Sequence, residues 1–175
     1  MTTRLETEQW LNIIAESASE VATVALGFEG CQVRAQATTV PDGMVGAYLP
    51  LGSNEQPMQV GFLSDPAGCQ ALAKALLGMA PEDEDLALSD LSDAISELAN
   101  VVAGGIKRRL PGGVELKLGL PLFVMGCVQP NDHLAILTAE LQFGPITAVV
   151  LLATTRDSIV KHLARPETKV ARVGT

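Results

Sequence analysis

Aromatic residues are scarce in this 175-residue chain, with four Phe, one Trp and one Tyr, 3% of the total. Any core must therefore be assembled from Val, Leu, Ile, Ala and Met, which the 47% hydrophobic content supplies. Charge is also sparse, at 18%, and unbalanced, with 12 Lys and Arg against 20 Asp and Glu. A net charge of −8 lacks the basic surface that binding to a phosphate backbone requires, so nucleic acid is not an expected partner. A chain this apolar is not a disordered tail. Its length suits one domain, or two similar halves sharing a core.

Cysteine is limited to Cys31, Cys69 and Cys127, odd in number and in no CxxC pair. They read as reduced, mostly buried thiols of a cytosolic protein. The two histidines, His133 and His162, lie far apart and outside any ligand motif, so no metal site of the chain's own is expected. The first ten residues, MTTRLETEQW, have no apolar signal core. No apolar run is long enough to span a bilayer. The longest candidate, ITAVVLLATT, is rich in β-branched residues and reads as a buried strand. The expectation is a cytoplasmic protein with no membrane insertion.

Apolar residues recur at helical spacing through residues 6–26, at Trp10, Ile13, Ile14, Ala18, Val21 and Val24. Three short strands follow, in CQVRAQATTV, MVGAYLPLGS and MQVGFLSD, separated by PDG and SNEQP turns. DPAGCQALAKALLGM is a helix with Asp65 as cap, Pro66 in its first turn and Gly78 near its end. The acidic APEDEDLALSD reads as a solvated loop. A second long helix is expected from about Asp90 to Leu110, with Asp90 and Asp93 as a variant capping box, KRR at the negative end of its dipole and PGG as its stop. VELKLGLPLFVMG, HLAILTAELQF and ITAVVLLATT are three further strands. The α-βββ order thus occurs twice. The expected fold is α+β, two α-βββ halves related by internal pseudo-twofold symmetry, with an antiparallel sheet covered by the two long helices.

The second long helix contains DAISELANVVAGG, residues 93–105. At about 100° per residue, Asp93, Glu97, Asn100 and Gly104 share one face, with Ser96 beside them. Leu91, Ile95, Leu98, Val102 and Ile106 occupy another face and are expected in the core. Asn and Gly both weaken a helix relative to Ala, so something besides propensity selects them. The row can be an ordinary solvated face, and the glycines can serve close helix packing. Alternatively, a second molecule can approach the backbone at Gly104.

DAISELANVVAGGIKRRL followed by LGLPLFV resembles the CheC/CheX family of chemotaxis phosphatases. Asp93, Glu97, Asn100 and Pro121 fall at the places of the family's signature, and the order of elements matches over roughly residues 6–160. The spacing from Asn100 to Pro121 is slightly shorter than the family's. The resemblance implies a single domain over residues 1–163 with a loose tail at 164–175. It implies hydrolysis of the phosphoaspartate of a CheY-like response regulator, with Asn100 orienting the attacking water and Glu97 pairing with the receiver's lysine. Asp93 and Pro121 would support the motif, and Ser96 and Gly104 would border the partner's approach. No cofactor of the chain's own is implied, because the receiver supplies Mg²⁺. The first long helix carries Asn12, Glu16 and Ser19 at the equivalent spacing, with Ser where the amide belongs. One working site per chain, in a homodimer joined at sheet edges as in the CheX branch, is therefore the expectation. A non-catalytic docking or adaptor protein of the same fold, in a chemosensory or flagellar-switch complex, is the alternative. A small-ligand sensor is a third reading.

Overall fold

A computed structural model describes residues 7–52, 57–110 and 115–155. Helix α1 spans Thr7–Val24, and strands β1 (Gln32–Ala37), β2 (Val45–Gly52) and β3 (Met58–Ser64) follow it. Helices α2 (Pro66–Leu76) and α3 (Leu88–Arg109) come next, then β4 (Lys117–Leu118), β5 (Leu122–Val124), β6 (Leu134–Phe143) and β7 (Ile146–Thr155). The strands form one antiparallel sheet in the order β1-β6-β7-β3-β2-β4, with β5 also paired to β2.

That order contains the expected pseudo-symmetry. β3 and β7, the last strands of the two halves, pair at the centre. Outward from them lie the hairpin partners β2 and β6. The first strand of each half then pairs with the second strand of the other, β1 with β6 and β5 with β2. Each half thus completes the other's sheet, and neither can bury its strands alone.

Strand alternation separates two cores. Ala148, Val150 and Leu152 of β7, Val60 and Phe62 of β3, and Ala139, Leu141 and Phe143 of β6 join the helices in the larger one. Val149, Leu151, Leu63, Tyr48 and Ile136 point to the opposite face, where Val40, Met44, Cys127 and Val128 from loops cover them. The Val128 amide donates to the Tyr48 hydroxyl at 3.0 Å, pinning one of those loops to the sheet. All five expected core residues of α3 are buried, Ile95, Leu98, Val102 and Ile106 completely.

α2 forms as its sequence predicts. The Asp65 carboxylate accepts from the Gly68 amide at 2.6 Å, and Pro66 occupies the first turn. Gly78, at φ +67°, ends the helix, with Met79 N–H donating to Lys74 O and Gly78 N–H to Ala75 O. Asp65→Ala is expected to cost about 1 kcal/mol in urea unfolding, the usual worth of a side-chain cap.

The start of α3 differs from the expectation. Its cap position is Ala87, with no side-chain cap bond, so Asp90 lies inside the first turn and Asp93 in the next. Neither residue forms a capping box. Tertiary contacts set the start instead. Gln70 of α2 accepts from the Leu86 amide at 2.9 Å and donates to the Leu86 carbonyl at 3.1 Å, fixing the chain immediately before the helix. Asp90 still places negative charge near the positive end of the helix dipole.

The acidic loop is also more than solvated. Lys74 is buried, and its ammonium donates to Pro81 O, Asp83 O and the Asp85 carboxylate, the last at 2.9 Å. Its three donors thus meet three acceptors, and the loop is strapped to α2. The expected single strand in VELKLGLPLFVMG is broken. β4 meets β2 at Leu118↔Leu51, and β5 resumes at Leu122↔Tyr48, so residues 119–121 face only Leu49 and Pro50. This is a bulge, and Pro121, lacking an amide donor, is suited to it. Gly119 is required there, because a Cβ would lie 2.7 Å from the Pro50 ring. Of the cysteines, only Cys69 is buried; Cys31 and Cys127 are half-buried, and all three are free thiols. Burial pushes the Cys31 thiol up to about 11 and Cys69 to about 12, so both stay neutral near pH 7. Residues 53–56 of the SNEQP turn, the PGG stop, His162 and the tail at 164–175 lie outside the described residues.

Candidate functional site

α3 presents its polar row to solvent because the opposite arc is apolar throughout. Leu91, Ala94, Ile95, Leu98, Ala99, Val102, Ala103 and Ile106 are buried, and they occupy about half of the helical wheel. The remaining arc centres on Asp93, Glu97, Asn100 and Gly104. Asp93 and Glu97 are exposed, while Asn100, Ser96 and Gly104 are half-buried. No hydrogen bond or ion pair within the described residues occupies the side chains of Asp93, Glu97 or Asn100. A carboxylate and an amide therefore stand one turn apart, both facing outward with open hydrogen-bonding capacity.

The two glycines that follow have different roles. At Gly105 a Cβ would sit 3.0 Å from the Ser17 Cβ of α1, so this glycine sets the close contact between the long helices. Ser17 is buried there with its hydroxyl donating to Ile13 O at 2.7 Å. At Gly104, among the described residues, a Cβ would meet nothing nearer than Arg108 Nη1, 4.0 Å away. Close helix packing thus accounts for Gly105, while the space beside Gly104 is open among the described residues.

Beyond Gly104, Arg108 and Arg109 reach across to α1. Arg109 pairs with Glu20 at 2.9 Å and Glu16 at 3.3 Å, and Arg108 pairs with Glu20 at 3.2 Å. The hydrogen bond from Arg109, aided by the charge of both arginines, holds the Glu20 carboxyl below its usual range. The sequence assigned these cations only to the helix dipole. Their ion-pairing role needed the packing of α1 on α3, which helix spacing alone does not show.

The same clamp determines the state of the row on α1. Glu16, the counterpart of Glu97, is tied to the chain's own Arg109. Ser19, the counterpart of Asn100, donates to Cys31 O at 3.3 Å and is half-buried. α1 thus lacks the open carboxylate–amide pair of α3. Pro121 is not part of the α3 row; it lies at the bulge between β4 and β5 on the sheet edge. The exposed Val101 and Val24, which the sequence did not single out, flank the row. Among the described residues no cluster of three or more His, Cys, Asp or Glu could hold a metal ion, and no helix is long and apolar enough to cross a membrane.

The architecture is that of CheC-like proteins. A CheC-like superfamily protein from Shewanella sp. PV-4 superposes with a TM-score of 0.68 at 16% identity, covering 86% of this chain and 99% of that one. The CheX–CheY–BeF3–Mg²⁺ complex from Borrelia burgdorferi gives 0.61 at 14% identity, covering 87% and 99%. The FliG–FliM complex from H. pylori gives 0.56 at 13%, covering 90% and 100%. Residues 57–129, which carry β3, α2, α3, β4 and β5, match the family model described as chemotaxis phosphatase CheX. The resemblance to the CheC/CheX family read from the sequence is borne out. No curated protein matches the chain by sequence.

Proposed function

We propose that this chain hydrolyses the phosphoaspartate of a CheY-like receiver domain. The observation that carries this reading is the pair Glu97 and Asn100, one turn apart on the open face of α3 and unpartnered within the described residues. An acyl phosphate is already reactive, so the main task is to hold a water in line with the phosphorus. The Asn100 amide can donate to and accept from that water. The water oxygen bonds to phosphorus as the bond to the aspartate oxygen breaks. The aspartate leaves as a carboxylate, and the water's proton passes to phosphate or solvent. Glu97 anchors the receiver through its active-site lysine. The chain brings no cofactor, and the Mg²⁺ belongs to the receiver. The CheX–CheY complex in the same fold supports a CheY-like partner.

The reaction takes place in the cytoplasm and uses one site per chain, on α3. The chain works as a homodimer through a sheet edge, where Leu120, Leu122 and Met125 are exposed beside β5. The direct test is loss of phosphate from a ³²P-labelled receiver with and without the chain. Faster loss supports the reading, and an unchanged rate with every CheY-like receiver of the source organism opposes it. Glu97→Gln is expected to weaken receiver binding by about tenfold at low salt, about 1.4 kcal/mol, through loss of an ion pair across the interface. Added salt should narrow that difference, which titration calorimetry at two ionic strengths would measure. The likeness to a chain of the FliG–FliM complex favours a second reading, a docking protein without turnover. On that reading the chain binds receivers but leaves their phosphate lifetime unchanged.

A further inference from the structure

We infer that Gly104 is the point where the receiver lies against the backbone of α3, and that its missing side chain sets the depth to which Asn100 enters. This rests on the phosphatase reading above. Glycine inside a helix is unfavourable relative to alanine, so an interior glycine needs a reason. Elsewhere the fold supplies one. Gly78 and Gly144 have positive φ, Gly105 meets Ser17, and Gly119 meets Pro50. Gly104 has none of these. It lies five residues before the end of α3, it is not among the positive-φ residues, and among the described residues a Cβ would meet nothing closer than 4.0 Å. No contact among the described residues selects glycine there.

Its surroundings point to the receiver. Gly104 follows Asn100 by one turn on the same face. Val101, beside Asn100, is 36% exposed, and Val24, across a shallow groove, is 82% exposed. Val21 and Ala25 line that groove together with Glu20 and Arg108. Arg108 and Arg109 are paired with α1 carboxylates, which leaves Lys107 as the cation beyond Gly104 with no ion pair among the described residues. The row runs from acidic, at Asp93 and Glu97, to apolar and uncharged, at Val101 and Gly104. A receiver that offers its lysine to Glu97 meets Gly104 with backbone and apolar side chains. Asn100 is half-buried and short, so it reaches a recessed phosphoaspartate only if the next helical turn also comes close. A side chain at 104 would hold the two proteins apart.

The test uses the full chain and the CheY-like receiver that wild type dephosphorylates fastest. Gly104→Ala is expected to raise the thermal midpoint, because it removes a helix glycine, while lowering kcat/KM for the phosphorylated receiver about tenfold, since a receiver held farther off both binds less well and admits Asn100 less deeply. Gly104→Leu, still folded, is expected to lower kcat/KM at least a hundredfold. A merely structural glycine would give the reverse, a lowered midpoint in the alanine variant, and that outcome overturns the inference. Unchanged kcat/KM in both variants also overturns it and leaves the phosphatase reading standing. If wild type acts on no receiver, both readings fall together.

Discussion

Asn100→Ala is expected to lower turnover on a phosphorylated receiver by at least roughly 10²-fold, the scale for losing one oriented polar group at a reaction centre. The structure makes this a clean experiment. The Asn100 side chain has no hydrogen-bond partner within the described residues, so its removal leaves no buried group unsatisfied. Alanine is also the better helix former, and thermal stability should hold or rise slightly. Receiver affinity should change little, since Glu97 and the apolar end of the row remain. Asn100→Gln keeps the amide but displaces it by one methylene, so only part of the activity should return, because the position of the water is the catalytic contribution. Single-turnover decay of the labelled receiver at saturating enzyme separates these effects. Full activity in Asn100→Ala would exclude it as the catalytic amide.

The helices and most strands were legible because their signals are local. The five core positions of α3 follow from a 3.6-residue period, and the same arithmetic places Asp93, Glu97, Asn100 and Gly104 outward. The cap and stop of α2 were readable from Asp65, Pro66 and Gly78. The misread features all depend on residues distant in sequence. Gln70 fixes the chain just before α3, and the Pro50 ring leaves no room for a side chain at Gly119 in the bulge. Lys74, which the sequence did not single out, is buried because a loop folds over it. The two glycines of α3 could not be told apart in sequence. Only the position of Ser17 shows that one serves the fold and the other faces outward.

The pseudo-twofold gives a physical reason for expecting a single site. Two halves that complete one sheet place α1 and α3 in related settings, so each helix begins with the same opportunity. The Arg108 and Arg109 clamp treats them differently. Its cations come from α3 and its carboxylates from α1, so the pairing occupies Glu16 and leaves Glu97 open. A chain with two open carboxylate rows would also lose the ion pairs that join its long helices.

The scarcity of aromatics concentrates stability in a few rings, and Phe62→Ala is expected to cost roughly 3–5 kcal/mol. Phe62 lies on β3, one of the central pair of strands, with its side chain on the helix-covered face and no exposed surface. Its ring meets Phe143 of β6 edge to face, with centroids 6.2 Å apart and planes at 65°. Phe62 belongs to the first half and Phe143 to the second, so the contact joins the two. Truncation removes this contact and leaves a cavity beneath the helices, in the core cluster that also holds Ile95 and Leu98. With a domain stability of about 5–15 kcal/mol, the variant would be only marginally folded. Urea unfolding should show a large drop in midpoint with an unchanged slope, meaning lost stability rather than a changed unfolded state. Phe143→Ala should cost a similar amount. The double variant should cost less than the sum by about 0.5–1.5 kcal/mol, the worth of an aromatic pair beyond its buried area. Strict additivity would show that the rings stabilise the two halves independently and that the edge-to-face contact contributes nothing of its own.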